Sequence, residues 1–393
     1  MSDDLIVIGG GIHGVATALA GVRRGLRVRL IEQYPRLAQG TSSRSSKLIH
    51  GGLRYLEQWQ WRLVRESLLA RRRLLQIAPE LVTLADFHIP VYAHSRRSPL
   101  TIRSGLMLYA LLGGLHAENR YTSLPARAWG DLDGLETRGL RAVFRYRDGR
   151  TDDAALTRAL MYAACERGAE LQLGERVWKI RLVDEGVEVE TSQGTYPARA
   201  AVNATGPWIE RLLSRVEPAQ AMPGVEQVAG THIVVPGHLE KGMYYVEAPR
   251  DGRAVFVMPW QGEVMIGTTE RVYTGDPAAI APTETEIDYL CETAARHFDP
   301  AHVDTRQVTA AFAGLRVLPR AEGRPFARPR DTRLLADRTQ RPRLVSILGG
   351  KLTVHAITAE RVLDRLAPSL PTRHVSTEEP LLIHPAPPDF AAG

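Results

Sequence analysis

Residues 4–32, DLIVIGGGIHGVATALAGVRRGLRVRLIE, decide the fold of this chain. An apolar run ends at three glycines, Gly9, Gly11 and Gly14, which form the pattern G-x-G-x-x-G. Apolar residues then recur at helical spacing, and a second strand-like run ends at Glu32. This order of strand, glycine turn, helix and strand predicts a βαβ unit with parallel strands.

Each glycine of the turn has a physical reason. Gly9 allows the tight turn, Gly11 lets the backbone approach a pyrophosphate, and Gly14 lets the helix pack closely on the strand. The helix N-terminus offers free N–H groups and the positive end of its dipole to phosphates. Glu32 stands where an acceptor for a ribose hydroxyl is expected. The segment therefore predicts a dinucleotide site, and by itself it leaves FAD and NAD open.

Two later segments are also typical of nucleotide-side turns. Asn203-Ala204-Thr205-Gly206 follows one strand-like run, and Gly349-Gly350-Lys351-Leu352-Thr353 follows another and opens a helix. A second helix N-terminus directed at the cofactor would stabilise negative charge on a reduced flavin. Apolar periodicity predicts further helices over 60–78, 154–167, 283–298 and 352–366, whereas residues 86–147 show little period.

A chain of 393 residues can form about two domains. We expect an α/β fold with a Rossmann-like FAD-binding or NAD-binding domain built from discontinuous segments, and an inserted α+β substrate domain that carries an antiparallel sheet. The expected nucleotide-binding domain comprises residues 1–85, 148–220 and 310–370. The expected substrate domain comprises residues 86–147 and 221–309, and residues 371–393 form a tail.

The composition excludes several classes of protein. The net charge of +6 suits an anionic substrate, an anionic cofactor or an acidic membrane surface. We see no zinc-type spacing and no basic run with interleaved aromatic residues, so we expect neither a metal nor nucleic acid as a partner. Cys165 and Cys291 give no disulfide framework and fit a reducing compartment.

The sequence also predicts where the protein resides. We find no export signal and no run of about 20 uninterrupted apolar residues, so we expect a cytoplasmic protein without a membrane-spanning helix. Residues 102–115, IRSGLMLYALLGGL, are too short to span a bilayer. Two interpretations stay open for them: a helix on the inner face of the cell membrane, or a buried helix of the second domain.

A basic and hydroxyl-rich cluster lies at residues 40–57, GTSSRSSKLIHGGLRYLE. Its position just after the strand that ends at Glu32 favours a loop that faces the cofactor. The paired glycines Gly51 and Gly52 permit close approach of the backbone to a flat ring. A cation in this cluster could hold a substrate phosphate.

With these motifs, the sequence resembles the FAD-dependent glycerol-3-phosphate dehydrogenases of the amino-acid-oxidase-like flavoprotein superfamily. The resemblance runs from residue 5 to about 366. Six motifs carry it in one order: TSSRSSKLIHGGLRYLE (41–57), GTHIVVP (230–236), FVMPW (256–260), IGTT (266–269), AGLR (313–316) and GGKLT (349–353).

The resemblance implies a set of site residues. FAD contacts are implied at Gly9, Gly11, Gly14, Glu32, Thr41, Ser42, Ser46, His50, Gly52, Gly206 and Gly350. Phosphate or substrate contacts are implied at Arg54, Tyr55, His232, Arg316, Arg330 and Lys351. For the base that takes the hydroxyl proton we favour His232 and then His50, because histidine titrates near neutral pH; water or a neighbouring arginine such as Arg316 stays open.

The resemblance further implies the reaction. It is the oxidation of sn-glycerol 3-phosphate to dihydroxyacetone phosphate by hydride transfer to flavin N5, with the electrons passed to a quinone-type acceptor. The alternative is an FAD-dependent oxidoreductase of another hydroxy acid or phosphorylated polyol, with oxygen as a further candidate acceptor. A third hypothesis, an inactive flavin-binding partner subunit, is opposed by the retained Arg54, His232, Arg316 and Lys351. A homodimer and contact with a membrane surface stay open.

The chain departs from the family pattern at three places. His13 stands where the family usually has a small polar residue in the glycine turn. The segment 353–356, TVHA, lacks the usual aromatic–arginine pair. Family members commonly carry an additional helical C-terminal domain, which we expect this chain to lack.

Overall fold

The computed structural model describes residues 3–222, 224–320, 332–373 and 381–391. Within these ranges the chain forms two β-sheets and seven α-helices. The strands are β1 (Asp3–Ile8), β2 (Val28–Glu32), β3 (Leu48–Ile49), β4 (Val82–Tyr92), β5 (Thr122–Leu124), β6 (Leu140–Thr151), β7 (Glu170–Leu173), β8 (Val177–Val183), β9 (Gly186–Thr191), β10 (Thr195–Asn203), β11 (Val216–Glu217), β12 (Val225–Val235), β13 (Met243–Glu247), β14 (Ala254–Trp260), β15 (Glu263–Gly267), β16 (Arg271–Tyr273), β17 (Ala310–Pro319), β18 (Arg333–Ala336) and β19 (Leu344–Leu348). The helices are α1 (Ile12–Arg23), α2 (Trp61–Ile77), α3 (Pro99–Leu112), α4 (Asp153–Cys165), α5 (Ile209–Leu213), α6 (Glu284–His297) and α7 (His355–Leu366).

The first sheet has a parallel centre. Its strand order is β11-β8-β9-β10-β1-β2-β7, and β19 pairs with β10 in parallel while β18 pairs with β19. The predicted βαβ unit is confirmed, since Leu5 pairs in parallel with Val28 on one side and with Ala200 on the other. Helices α1 and α7 pack on this sheet and α4 packs on α1, and buried apolar residues such as Val15 and Leu160 share one core with the strands. The strands of such a parallel sheet are covered by helices because both faces must be shielded from water.

The second sheet is mainly antiparallel. Its strand order is β16-β12-β15-β14-β13-β4-β6-β3, with β17 on the other edge of β12 and β5 on β6. One parallel pair interrupts the pattern, where Met243 pairs with Phe87. The two sheets together confirm the predicted α/β fold with a Rossmann-like part and a part that carries an antiparallel sheet.

Most predicted helices are present within a few residues, but residues 86–147 are more regular than their sequence indicates. They contain most of β4, all of α3 and β5, and the first part of β6. In β4, residues 87–92 are buried on both faces, which removes the alternation that marks a strand. Its partner β6 lies about 50 residues later, so no local turn signal reveals the pairing.

The division into domains stays a prediction, and we propose it with one change. Strand β17 was expected with the nucleotide-binding segments, yet it pairs with β12 from Ala310 to Pro319. We therefore assign it to the substrate domain. The predicted tail does not simply extend away: Ile383 is buried, and its N–H donates to the carbonyl of Ile77 at 2.7 Å.

Candidate active site

A cavity of about 350 Å³ opens at the carboxyl ends of β1, β2 and β10. Ligands commonly bind in this place in open α/β sheets. The cavity wall contains every predicted site residue within the described ranges except Gly14. The remaining predicted residue, Arg330, lies outside the described residues.

The glycine turn leaves no room for side chains. Gly9 has a φ of +111°, and a Cβ there would lie 2.7 Å from the carbonyl oxygen of Ala204. A Cβ on Gly14 would lie 1.9 Å from the carbonyl oxygen of Gly9. Gly14 therefore acts by letting α1 pack against the turn, while Gly9 and Gly11 line the cavity.

Glu32 anchors one end of the cavity. Its carboxylate accepts hydrogen bonds from the N–H groups of Gly10 at 2.6 Å and Tyr34 at 2.9 Å. Burial raises its pKa, against the effect of these backbone donors. Each carboxylate oxygen has a second lone pair with which to accept a ribose hydroxyl. The rings of Tyr34 and Trp208, 5.9 Å apart, line the same end.

The two glycine turns meet in the middle of the cavity. Ser42 accepts a hydrogen bond from the N–H of Ile12 at 2.9 Å, at the N-terminus of α1. Gly350, with a φ of +106°, comes so close to His13 that a Cβ would lie 2.3 Å from Nε2. The ring of His13, a departure from the family pattern, is thus the contact between the first turn and the last.

Three cations line the other end. Arg54 and Lys351 both lie near the ring of Tyr55: the guanidinium carbon is 5.3 Å and Nζ is 3.7 Å from the ring centroid. Arg316 pairs with Glu270 at 3.0 Å and donates to the hydroxyl of Thr268 at 3.3 Å. This end of the cavity is suited to a multiply charged anion.

Sequence reasoning missed Glu270. Its side chain is only 4% exposed, and it also pairs with Arg253 at 3.5 Å. The carboxylate therefore orients Arg316 from behind the cavity wall. No local signal could have revealed it, because its main partner lies 46 residues later in the chain.

His232 is enclosed at the junction of β12 and β15. Its Nε2 lies 2.9 Å from the hydroxyl of Ser46, and its ring stacks on Phe312 with the centroids 5.1 Å apart. Burial, followed by the charges of Arg316 and Lys47, lowers its pKa to about 3. The imidazole is therefore neutral and accepts a proton more readily once a bound anion offsets those charges.

His50 also lines the cavity. Its backbone N–H donates to the hydroxyl of Thr353 at 3.1 Å, which ties the hydroxyl-rich loop to the start of α7. Its ring lies edge-on to Phe256, with the centroids 6.4 Å apart. Both predicted candidates for the base thus line one cavity with the cations.

The burial of His355, which lies in the second segment that departs from the family pattern, predicts that the free energy of unfolding depends on pH. His355 is 1% exposed, and burial lowers its pKa to about 4 from the usual 6.5. As pH falls from 6.5 to 4, His355 becomes protonated in the unfolded chain but stays neutral in the folded chain, so the folded state loses stability. The stability advantage of the wild type over His355→Gln should therefore shrink by about 3 kcal/mol between pH 7 and 4. Urea unfolding at several pH values measures this, and an advantage that does not change with pH would contradict it.

In the described part of the chain, no group of three or more His, Cys, Asp or Glu side chains is arranged to hold a metal ion. Comparison with known proteins identifies the family instead. The chain matches the FAD dependent oxidoreductase family over residues 4–364.

Two curated relatives and one solved structure show the closeness of the match. The chain is 39% identical to glycerol-3-phosphate dehydrogenase of Pseudomonas aeruginosa over an alignment of 381 positions, which covers 93% of this chain and 72% of that protein. It is 37% identical to D-erythritol 1-phosphate dehydrogenase of Brucella abortus, over 92% of this chain and 73% of that protein. The glycerol-3-phosphate dehydrogenase of Bacillus halodurans, solved with FAD, superposes with a TM-score of 0.74 at 27% identity, over 95% of this chain and 66% of that one.

The chain thus spans between about two thirds and three quarters of the length of these proteins. The motifs, the cavity and the comparisons agree with each other. The chain belongs to the FAD-dependent oxidoreductase family, and its resemblance to the glycerol-3-phosphate dehydrogenases within that family is confirmed.

Proposed function

We propose that the protein oxidises sn-glycerol 3-phosphate to dihydroxyacetone phosphate and passes the electrons to a quinone-type acceptor. The observation that carries this is the cation-lined end of the cavity, where Arg54, Arg316 and Lys351 face the same space. Arginine forks suit phosphate oxygens, and a dianionic phosphate is a strong handle for holding a small alcohol. A cavity for an uncharged alcohol would have no use for three cations.

The cofactor is FAD, and the residues present fit it. The side-chain-free turn at Gly9 and Gly11 admits a pyrophosphate, and Glu32 keeps acceptor capacity for a ribose. Gly52 and Gly350, with φ of +84° and +106°, both line the cavity and carry no side chain that would obstruct a flat ring. When bound, FAD supplies the hydride acceptor at N5.

The protein supplies position and electrostatics for the reaction. Arg316, oriented by Glu270 and Thr268, binds the phosphate together with Arg54 and Lys351. This remote binding energy fixes the carbon that carries the hydroxyl. His232 takes the hydroxyl proton at Nε2 through Ser46: the Ser46 hydroxyl lines the cavity, accepts the substrate proton and passes its own proton to Nε2, 2.9 Å away. His50 is the second candidate.

A direct experiment tests this function. The purified flavoprotein, kept free of air, is mixed with sn-glycerol 3-phosphate, and loss of the flavin absorbance is followed. We expect rapid bleaching, and reoxidation by a soluble quinone that is faster than by oxygen. Bleaching only by D-erythritol 1-phosphate or by an unphosphorylated hydroxy acid would instead assign the alternative substrate class. A flavin that no donor reduces would reject an enzymatic role.

We further propose that the protein docks on the inner face of the cell membrane through the outer surface of α3. No helix in the described residues is long and apolar enough to cross a bilayer. One face of α3 is buried through residues such as Leu106, as one of the two interpretations predicted. The opposite face of α3 is exposed. On and beside that face, six apolar residues are exposed, which we call the α3 face: Trp59, Trp61, Leu100, Met107, Leu111 and Leu115.

Charge indicates the occupant of the α3 face. Arg62, Arg65 and Arg103 are exposed beside these apolar residues. Tryptophan and leucine enter the headgroup region of a bilayer, while arginines attract anionic lipids. We therefore assign the face to an anionic lipid surface, where a quinone is also available.

Replacing Trp59 and Leu111 together by serine should weaken binding to phosphatidylglycerol vesicles by about 100-fold, because two apolar side chains no longer enter the bilayer. Co-sedimentation at low and high salt measures the affinity, and salt should weaken the wild type as well. The control is Trp178→Ser, since Trp178 is 45% exposed but lies on β8 in the other sheet. Equal binding of the wild type and the double variant would reject the α3 face as the docking surface.

A further inference from the structure

A buried ion pair lies directly behind the candidate base. Asp153, the first residue of α4, is fully buried, and Lys47 is nearly so. The Lys47 Nζ lies 2.5 Å from the Asp153 carboxylate. The two residues are 106 positions apart and neither was predicted as a site residue. Neither lines the cavity.

The ion pair holds both ends of the turn formed by residues 43–47, which faces the cavity. Asp153 also accepts hydrogen bonds from the N–H of Ser45 at 3.0 Å and from its hydroxyl at 2.6 Å. The ammonium of Lys47 donates to the carbonyl of Ser43 at 2.6 Å. Lys47 itself has a φ of +59°. Residues other than glycine rarely adopt this left-handed backbone conformation, so the surrounding contacts must stabilise it.

Ser46, the residue held between these contacts, reaches His232. Its hydroxyl lies 2.9 Å from Nε2 of that histidine. The same ion pair also approaches His232 from behind, since Lys47 Nζ lies 5.5 Å from the centre of the Phe312 ring on which His232 stacks. The pair therefore supports both the partner of the imidazole and the surface beneath it.

We infer that the Lys47–Asp153 ion pair is a positioning element for the reaction, which fixes the Ser45–Ser46 turn so that Ser46 holds Nε2 of His232 in place. Stability alone does not explain such a pair, because apolar residues of similar volume are often as stabilising as a buried ion pair. Four donors converge on Asp153, counting the N–H of Ala154 at 2.9 Å, and three of them come from the turn. The part of this inference that concerns the rate of the reaction rests on the proposed function.

The test neutralises the pair without leaving a lone buried charge. The double variant Lys47→Met, Asp153→Asn keeps an acceptor for Ser45 but removes the ammonium. The matched control is Arg343→Met, Asp337→Asn, which neutralises an ion pair of 3.1 Å whose acid is also buried but which lies at the β18–β19 hairpin, away from the cavity. FAD content and melting temperature establish that both variants fold.

Two measurements then read the position of His232. The first is the nitrogen-15 NMR shift of His232 in histidine-labelled holoenzyme, which reports the hydrogen bond between Nε2 and the hydroxyl of Ser46. The second is the limiting rate of flavin reduction by glycerol 3-phosphate. We expect the Lys47–Asp153 variant to lose the Nε2 signature and about 10²-fold in limiting rate, with substrate affinity little changed. The control should retain both.

The outcomes separate this inference from the proposed function. If glycerol 3-phosphate does not reduce the wild type, the proposed function fails, and the NMR comparison still decides the inference. If the wild type is reduced and the variant keeps its Nε2 signature and a rate within about twofold, the inference fails alone. An equal loss in the control would also overturn it, because the effect would then be a general one of losing a buried pair.

Discussion

Replacing Arg316 by methionine is expected to lower the kcat/KM for glycerol 3-phosphate by about 10²–10³-fold. The structure orients the guanidinium by Glu270 at 3.0 Å and by the hydroxyl of Thr268 at 3.3 Å. Removing one partner of a desolvated charge pair costs about 2–5 kcal/mol, and the expected loss of about 3–4 kcal/mol falls within that range. Glu270 keeps Arg253 as a partner, so the variant should still fold. Flavin reduction at low substrate concentration measures the loss.

A neighbouring arginine serves as the matched control. Arg271 pairs with Glu286 at 3.2 Å in the same region of the second sheet, but it does not line the cavity. Arg271→Met should leave kcat/KM nearly unchanged. If both variants lose activity equally, Arg316 has no special part in holding the phosphate, and the assignment of the cation-lined end would have to be abandoned.

Replacing Gly14 by alanine is expected to yield a protein without bound FAD. The added Cβ would lie 1.9 Å from the carbonyl oxygen of Gly9, a backbone atom that cannot move without opening the turn. Displacing α1 by even a fraction of this overlap removes the pyrophosphate cradle and disturbs its packing on β1. The ratio of flavin to protein absorbance after purification measures the loss, and the melting temperature should fall as well.

The same substitution elsewhere provides the comparison. Gly105 also lies inside a helix, α3, but a Cβ there meets its nearest atom only at 4.0 Å. Gly105→Ala should bind FAD normally and gain about 0.5–1 kcal/mol of stability, because alanine favours the helix. Normal flavin content in Gly14→Ala would show that the turn can relax, and would refute the packing role of Gly14.

The local parts of the fold were predictable because their signals are local. The spacing of glycines and apolar residues predicts the βαβ unit, including α1, and the spacing of apolar residues predicts α2, α4 and α6. The pairing of β4 with β6 was not predictable, because β4 is buried on both faces and its partner is remote in sequence. The same holds for β17, whose place in the second sheet depends only on its pairing with β12.

The candidate site divides in the same way. Residues within contiguous motifs, such as Gly9, His50 and Lys351, could be named from the sequence, and they share one cavity. Residues that act from behind it could not, since Glu270 and Asp153 are ordinary acids until the fold brings them against Arg316 and Lys47. Sequence patterns therefore indicate what touches a ligand more readily than what holds those groups in place.

The strand order of the first sheet has a consequence for how the protein is made. The first glycine turn follows β1, but another wall of the same cavity follows β19, which can pair with β10 only once residues up to Leu348 have been synthesised. Domains form during translation from the N-terminal side. The nascent polypeptide therefore exposes an incomplete cofactor site until β19 has been made, and we expect the flavin to be captured only after that strand has paired.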